Sequence, residues 1–214
     1  MNFGQSQETR CHKSVTGALV AVGSNLSFKG NPPISVVCEA LTQLVNVAQH
    51  TPVFSHLYQT PAFPPGSGPD YVNAAIALDW PGSAATLMQE LHILEQGFGR
   101  IRRRRWEARA LDLDLIAFGD TVLPDPETQT RWRDLPPVRA AEIAPETLIL
   151  PHPRLAERAF VLRPLADIAP DWTHPLTGHS VTEMLAALPE EDRAAMRIVN
   201  PPSGALPFPP SGLK

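Results

Sequence analysis

Lysine is nearly missing from this 214-residue sequence: positions 13, 29 and 214 hold the only three, against 15 arginines. That removes the phosphate-loop lysine of a G-x-x-x-x-G-K-[ST] motif, which occurs nowhere in the chain. There is also no G-x-G-x-x-G, no H-E-x-x-H and no G-x-S-x-G. Rossmann-type dinucleotide binding, zinc-protease chemistry and the serine-hydrolase elbow therefore lose their sequence support. Cysteine is as scarce, with Cys11 and Cys38 alone and no C-x-x-C. Two thiols are no disulfide framework, and they predict a reducing cytoplasm. Long apolar runs are lacking too, since GALVAVGSNL (17–26) is broken by Ser24 and Asn25, well short of the ~18–20 residues of a spanning helix. The first 13 residues are polar and carry no signal-peptide centre, so the expectation is a soluble chain that stays inside the cell.

What is present is an ordinary globular mix, 43% hydrophobic and 19% charged. A chain this long buries roughly 70% of its unfolded surface, so neither metal nor disulfide is needed to hold it together. The net charge of −4 opposes nucleic-acid binding by bulk charge, though it leaves room for a local basic patch. Proline is in excess at 24. Many of these lie in 124–153 and 201–210 and mark loops and a tail. The organisation expected is a disordered extension at 1–13, one domain over 14–199 with a Pro-rich insertion at about 120–147, and a flexible Pro/Gly tail at 200–214.

Along the chain, the apolar run Ala18–Val22 predicts a buried strand, and Pro32–Val47 a helix, with Val36, Val37, Ala40, Leu41 and Leu44 on one face. Val53–Tyr58 alternates and predicts one strand, and Tyr71–Leu78 another. Ser83–Gln96 predicts an amphipathic helix capped by Ser83, and Ala110–Phe118 a further strand. The order β-α-β-β-α-β predicts an α+β, ferredoxin-like antiparallel sheet with two helices on one face, followed by C-terminal additions. Residues 120–150 read as irregular apart from a short helix near Arg139–Ile143. Ala159–Leu165 is apolar again, and Val181–Leu188 reads as the last helix.

Four segments carry chemistry. In Leu111-Asp112-Leu113-Asp114-Leu115, strand alternation puts both carboxylates on one face and the leucines on the other. Such a pair suits a hard cation such as Mg²⁺, or forms a solvated acidic face. Just before it stand Arg100, Arg102, Arg103, Arg104, Arg105 and Arg109 around Trp106. Guanidinium groups suit multidentate phosphate contacts, and their mutual repulsion predicts a loop that orders only around anions. Carboxylates beside an arginine loop are the parts that phosphoryl transfer needs. The third segment, 151–165, offers His152, Arg154 and Arg158. The fourth, Tyr58–Phe63 with Asp70–Ala75, offers aromatics and the Asn73 amide for a flat heterocycle, or simply core aromatics.

In this order, ALVAVGSNL, YQTPAF…PDYVNAAIAL, E-x-x-x-G-R (95–100), RW-x-x-R-x-LDLDL (105–115) and PHPRLAERAFVLRPLADIAPD (151–171) resemble the 6-hydroxymethyl-7,8-dihydropterin pyrophosphokinases of folate biosynthesis. The resemblance covers roughly 17–172 without 120–147, which is longer than the family pattern. It implies transfer of pyrophosphate from ATP to the pterin hydroxymethyl group, with release of AMP and two Mg²⁺ ions. It assigns the metals to Asp112 and Asp114, and the pterin to Thr60, Pro61, Phe63, Tyr71, Asn73 and Phe160. ATP falls to Glu95, Arg102, His152 and Arg158, and the catalytic loop to Arg100, Arg105, Trp106 and Arg109. Its implied partners are the two small substrates alone, with no nucleic acid or membrane, on a cytoplasmic monomer. The readings to be separated from it are an RNA-binding ferredoxin-like module and a Mg²⁺-dependent nucleotide hydrolase.

Overall fold

The computed structural model describes residues 17–62, 68–99 and 110–204. The extension at 1–13, Phe63, the arginine segment from Arg100 to Arg109 with Trp106, and the tail beyond residue 204 fall outside them.

The elements run β1 (Ala18–Ser24), α1 (Pro33–Val47), β2 (Val53–Phe54), β3 (Leu57–Thr60), β4 (Tyr71–Leu78), α2 (Ala84–Gly97) and β5 (Asp112–Phe118). Then follow α3 (Pro126–Arg133), α4 (Pro137–Glu142), α5 (Ala159–Ile168), α6 (Val181–Ala187), α7 (Glu190–Ala194) and β6 (Arg197–Val199). The strands form one six-stranded sheet in the order β5-β1-β4-β3-β6, with β2 also on β4, and every pairing is antiparallel. With β2 and β3 counted as the one strand expected before β4, the start follows the expected β-α-β-β-α-β order.

Alternation along the strands sorts the side chains onto two faces. Val20, Val22, Ile76, Leu113 and Leu115 meet α1 and α2, where Leu41, Leu44, Leu87 and Leu91 are fully buried. Each such leucine contributes about 2 kcal/mol by leaving water. Leu19, Ala75, Ile116 and Ala117 face the other way, onto α5 and α6 through Val161, Leu162, Leu165, Val181 and Met184. Helices thus cover both faces, and the two-helix layer expected from sequence is one side of a three-layer domain.

Local chemistry explains the ends of these elements. Pro33 occupies the first turn of α1, and the Ser83 hydroxyl accepts from Thr86 N–H to cap α2. Gly99, at φ +83°, closes the turn after α2 immediately before the arginine segment.

Three sequence expectations need correction. Val53–Tyr58 is two strands, because the Ser55 hydroxyl takes the Ala75 N–H (2.8 Å) and His56 N–H turns to the Asp167 carboxylate (3.0 Å). A side chain competing for ladder partners breaks the strand that alternation predicts. The insertion holds two helices, α3 as well as the expected short one, and α3 starts on Asp125 capping Thr128 N–H (2.9 Å) with Pro126 behind it. Val181–Leu188 is not the last helix: α7 follows it, and the chain then returns to add β6 beside β3, both on segments too short for periodicity to register.

Candidate active site

Asp112 and Asp114 stand on the face of β5 opposite the leucine layer, as alternation requires, and both are half-buried. β5 is an edge strand, so its outward N–H groups need partners. Glu95, fully buried on α2, takes one of them: its Oε1 accepts from Leu113 N–H at 3.1 Å, between the two aspartates. The structure thus places Glu95 behind the carboxylate strand rather than in the cleft described below.

Past the aspartates, Ile116 is an extra residue in the β1–β5 ladder, since Val20 pairs with Leu115 and Leu19 with Ala117. The Ile116 carbonyl accepts from His152 N–H (2.8 Å), which anchors the 151–158 segment beside Asp114. The His152 Nδ1 accepts from Arg154 N–H (3.1 Å), so a neutral ring carries its proton on Nε2. Burial lowers the His152 pKa to about 4; Asp114 opposes that shift, and Arg158 and Arg154 add to it. His152 is neutral at neutral pH. Arg158, at the N-terminus of α5, donates from Nη1 to Asp114 Oδ2 at 3.1 Å. At the second residue of that helix Phe160 is 42% exposed, its ring 5.8 Å from the Arg158 guanidinium.

The same sheet face carries the other group of predicted residues. Asn73 is opposite Gly23 on β1, and Gly23 is opposite Asp112 on β5, so the three form a row across the sheet. Two strand spacings put the backbones of Asn73 and Asp112 about 10 Å apart. Asn73 is buried, and its Nδ2 donates to Thr60 Oγ1 at 2.7 Å. Tyr71 and Pro61 lie exposed at the rim. The tertiary structure therefore brings Thr60, Pro61, Tyr71, Asn73, Asp112, Asp114, His152, Arg158 and Phe160 to one side of the sheet.

Beside Asp114 opens a cleft of about 740 Å³. Asp114, His152, Arg154 and Arg158 belong to its polar lining, with His92, Glu146 and Thr147, while Met88, Leu115, Trp132, Ile143 and Pro145 are apolar. Sequence reasoning singled out Arg154 with His152 and Arg158, and missed Gly23 and all of the insertion's contribution. The signal for the last was a single tryptophan in the charged stretch Thr130-Arg131-Trp132-Arg133.

A carboxylate pair beside a cleft of nucleotide size that carries two arginines fits a nucleotide-dependent phosphotransferase. Comparison with known proteins makes this specific. Residues 19–170 match the sequence pattern of the family described as 7,8-dihydro-6-hydroxymethylpterin-pyrophosphokinase. A 2-amino-4-hydroxy-6-hydroxymethyldihydropteridine pyrophosphokinase of Synechocystis is 36% identical over 82% of this chain and 76% of its own length. One from Pseudomonas aeruginosa is 35% identical over 80% of this chain and 91% of its own length. The solved Plasmodium falciparum HPPK-DHPS A437G with SDX-DHP shares the fold, with a TM-score of 0.56 at 12% identity, over 79% of this chain. This chain spans 45% of that one. The chain belongs to the 7,8-dihydro-6-hydroxymethylpterin-pyrophosphokinase family, a transferase family of folate biosynthesis.

Proposed function

We propose that the chain moves the pyrophosphoryl group of ATP onto the hydroxymethyl oxygen of 6-hydroxymethyl-7,8-dihydropterin, with Mg²⁺ held at Asp112 and Asp114. The hydroxymethyl oxygen bonds to the β-phosphorus, the bond from that phosphorus to the oxygen bridging it to the α-phosphate breaks, the hydroxyl proton is lost, and AMP leaves. The observation that supports this best is the row Asn73–Gly23–Asp112, which sets a heterocycle-reading amide and a metal-seeking carboxylate about 10 Å apart on one face.

The donor set fits magnesium. Among the described residues no group of three or more His, Cys, Asp or Glu side chains could hold a metal. Mg²⁺ ordinarily takes one or two carboxylates and completes its shell with phosphate oxygens and water. When bound, it neutralises charge on the transferring group. Asp112 and Asp114 would hold the two ions.

The remaining roles follow from chemistry and place. Asn73 and Thr60 read the pterin edge, and Tyr71 and Phe160 offer ring faces to it, with Pro61 and Phe63 at the loop. His152 presents a neutral N–H to a nucleotide oxygen, and Arg158 pairs with phosphate once it leaves Asp114. From the arginine segment, Arg100, Arg105 and Arg109 meet the developing charge, Arg102 meets the nucleotide and Trp106 covers the pterin. The protein works as a monomer in the cytoplasm.

The test is incubation with ATP, Mg²⁺ and the pterin. AMP and pterin pyrophosphate should form in equal amounts, and only when all three are present. Release of ADP and phosphate, independent of the pterin, would replace this reading with nucleotide hydrolysis.

A further inference from the structure

We propose that the α3–α4 insertion forms the base-binding wall of the nucleotide cleft, with the Trp132 ring as the surface on which the base of ATP stacks. This rests on the pyrophosphokinase reading and adds to it a residue outside the segments that carry the family pattern.

The insertion is built onto the site and fixed there. Leu123 and Leu150 clamp its base through two backbone hydrogen bonds, of 2.9 and 3.1 Å. Inside that clamp, Gln129 of α3 is completely buried, and its Nε2 donates to the Pro151 carbonyl at 3.1 Å. Pro151 adjoins His152, so α3 is tied to the backbone that carries this cleft residue. Three residues on, and so on the same side of the helix as Gln129, Trp132 turns its ring to the cleft.

The cleft combines two kinds of lining from two parts of the chain. Asp114, His152, Arg154 and Arg158 are groups for phosphates and metal. From the insertion come the flat Trp132 ring and the apolar Ile143 and Pro145, beside the polar Glu146 and Thr147. A nucleoside triphosphate likewise combines a charged chain with a planar base. Base–aromatic stacking tolerates any base, so Trp132 supplies affinity for a base rather than a choice among bases.

The experiment measures dissociation constants for a non-hydrolysable ATP analogue and for inorganic tripolyphosphate, which has the charge and no base. Proteins compared are wild type, Trp132→Phe, Trp132→Leu and Trp132→Ala. Trp132 is partly exposed, and the leucine variant keeps an apolar side chain there without the flat ring. Trp132→Leu and Trp132→Ala should each lose about tenfold in affinity for the analogue. Tripolyphosphate binding should stay at wild-type strength, and Trp132→Phe should restore most of the loss. Unchanged analogue affinity in the leucine and alanine variants, or an equal loss for both ligands, would overturn the proposal with the reaction untouched. Wild-type protein that forms no AMP yet binds the analogue in a Trp132-dependent way would overturn the reaction and leave the wall standing.

Discussion

Gly23 and Asn73 face each other across β1 and β4, and a methyl group on Gly23 would lie 2.9 Å from Asn73 Oδ1. The glycine is therefore the space into which the Asn73 amide fits. Gly23→Ala should displace that amide from Thr60 and weaken pterin binding by about threefold to tenfold, the worth of one hydrogen bond. Affinity for an ATP analogue should not change. Titration calorimetry with each ligand checks this, and unaltered pterin affinity would remove Asn73 from the pterin site.

Asp114 has the Arg158 guanidinium at 3.1 Å, and both side chains are about one-third exposed. A pair so placed adds well under 1 kcal/mol to stability. Asp114→Asn should thus melt close to wild type, and both Asp112→Asn and Asp114→Asn should lose turnover by about 100-fold or more, because each removes an anionic metal ligand. The measurement is rate against Mg²⁺ concentration beside a thermal melt. Normal rates with an unchanged Mg²⁺ requirement in both variants would refute the metal assignment.

Tyr58 is buried on β3, and its hydroxyl lies 2.9 Å from Oδ2 and 3.0 Å from Oδ1 of Asp167, whose Oδ2 also faces His56 Nδ1 at 2.9 Å. This cluster fastens α5, which carries Arg158 and Phe160, to the sheet. Burial first, then the Asp167 charge, pushes the Tyr58 phenol above its ordinary range. The chain has only two tyrosines, so in a Tyr71→Phe protein the remaining phenol is Tyr58. Its absorbance should show no ionisation at pH 11 while the fold persists. Tyr58→Phe should cost about 1–2 kcal/mol in urea unfolding, as a buried charge-assisted bond is lost.

His174 is buried, and burial chiefly lowers its pKa, with the nearby Arg133 and His179 charges acting the same way. Its ring also lies edge-on to Trp172, and its Nδ1 accepts from Leu176 N–H at 3.2 Å. A lowered folded value means that the unfolded chain takes up the proton first. Stability is therefore complete above about pH 6.5 and declines as pH falls below it, by at most about 1.4 kcal/mol per pH unit for one such group. His174→Asn keeps an acceptor near Nδ1 and should lessen the slope between pH 7 and 5.5, leaving the part due to His152, whose pKa is also lowered. In NMR titration the His174 ring should titrate below 6.5, and a midpoint at or above that value would refute the assignment.

Local patterns determined much of this protein on their own. Leu-Asp-Leu-Asp-Leu had to place two carboxylates on one face of β5, because strand period is two. Ser83 had to cap α2, because a hydroxyl there satisfies an orphan N–H. Both depend on neighbours a few residues away. What depended on distant partners was decided only by the tertiary structure. Ser55 broke a strand because Ala75 lay opposite, and Gln129 was buried because Pro151 offered a carbonyl. Gly23 mattered because Asn73 needed the room. The insertion reads as irregular apart from one short helix, because α3 is short and caps on a single aspartate. Only the Leu123–Leu150 clamp, closing 26 intervening residues onto the cleft, turned Trp132 toward the site. Periodicity reports which face a residue takes; only packing reports what that face meets.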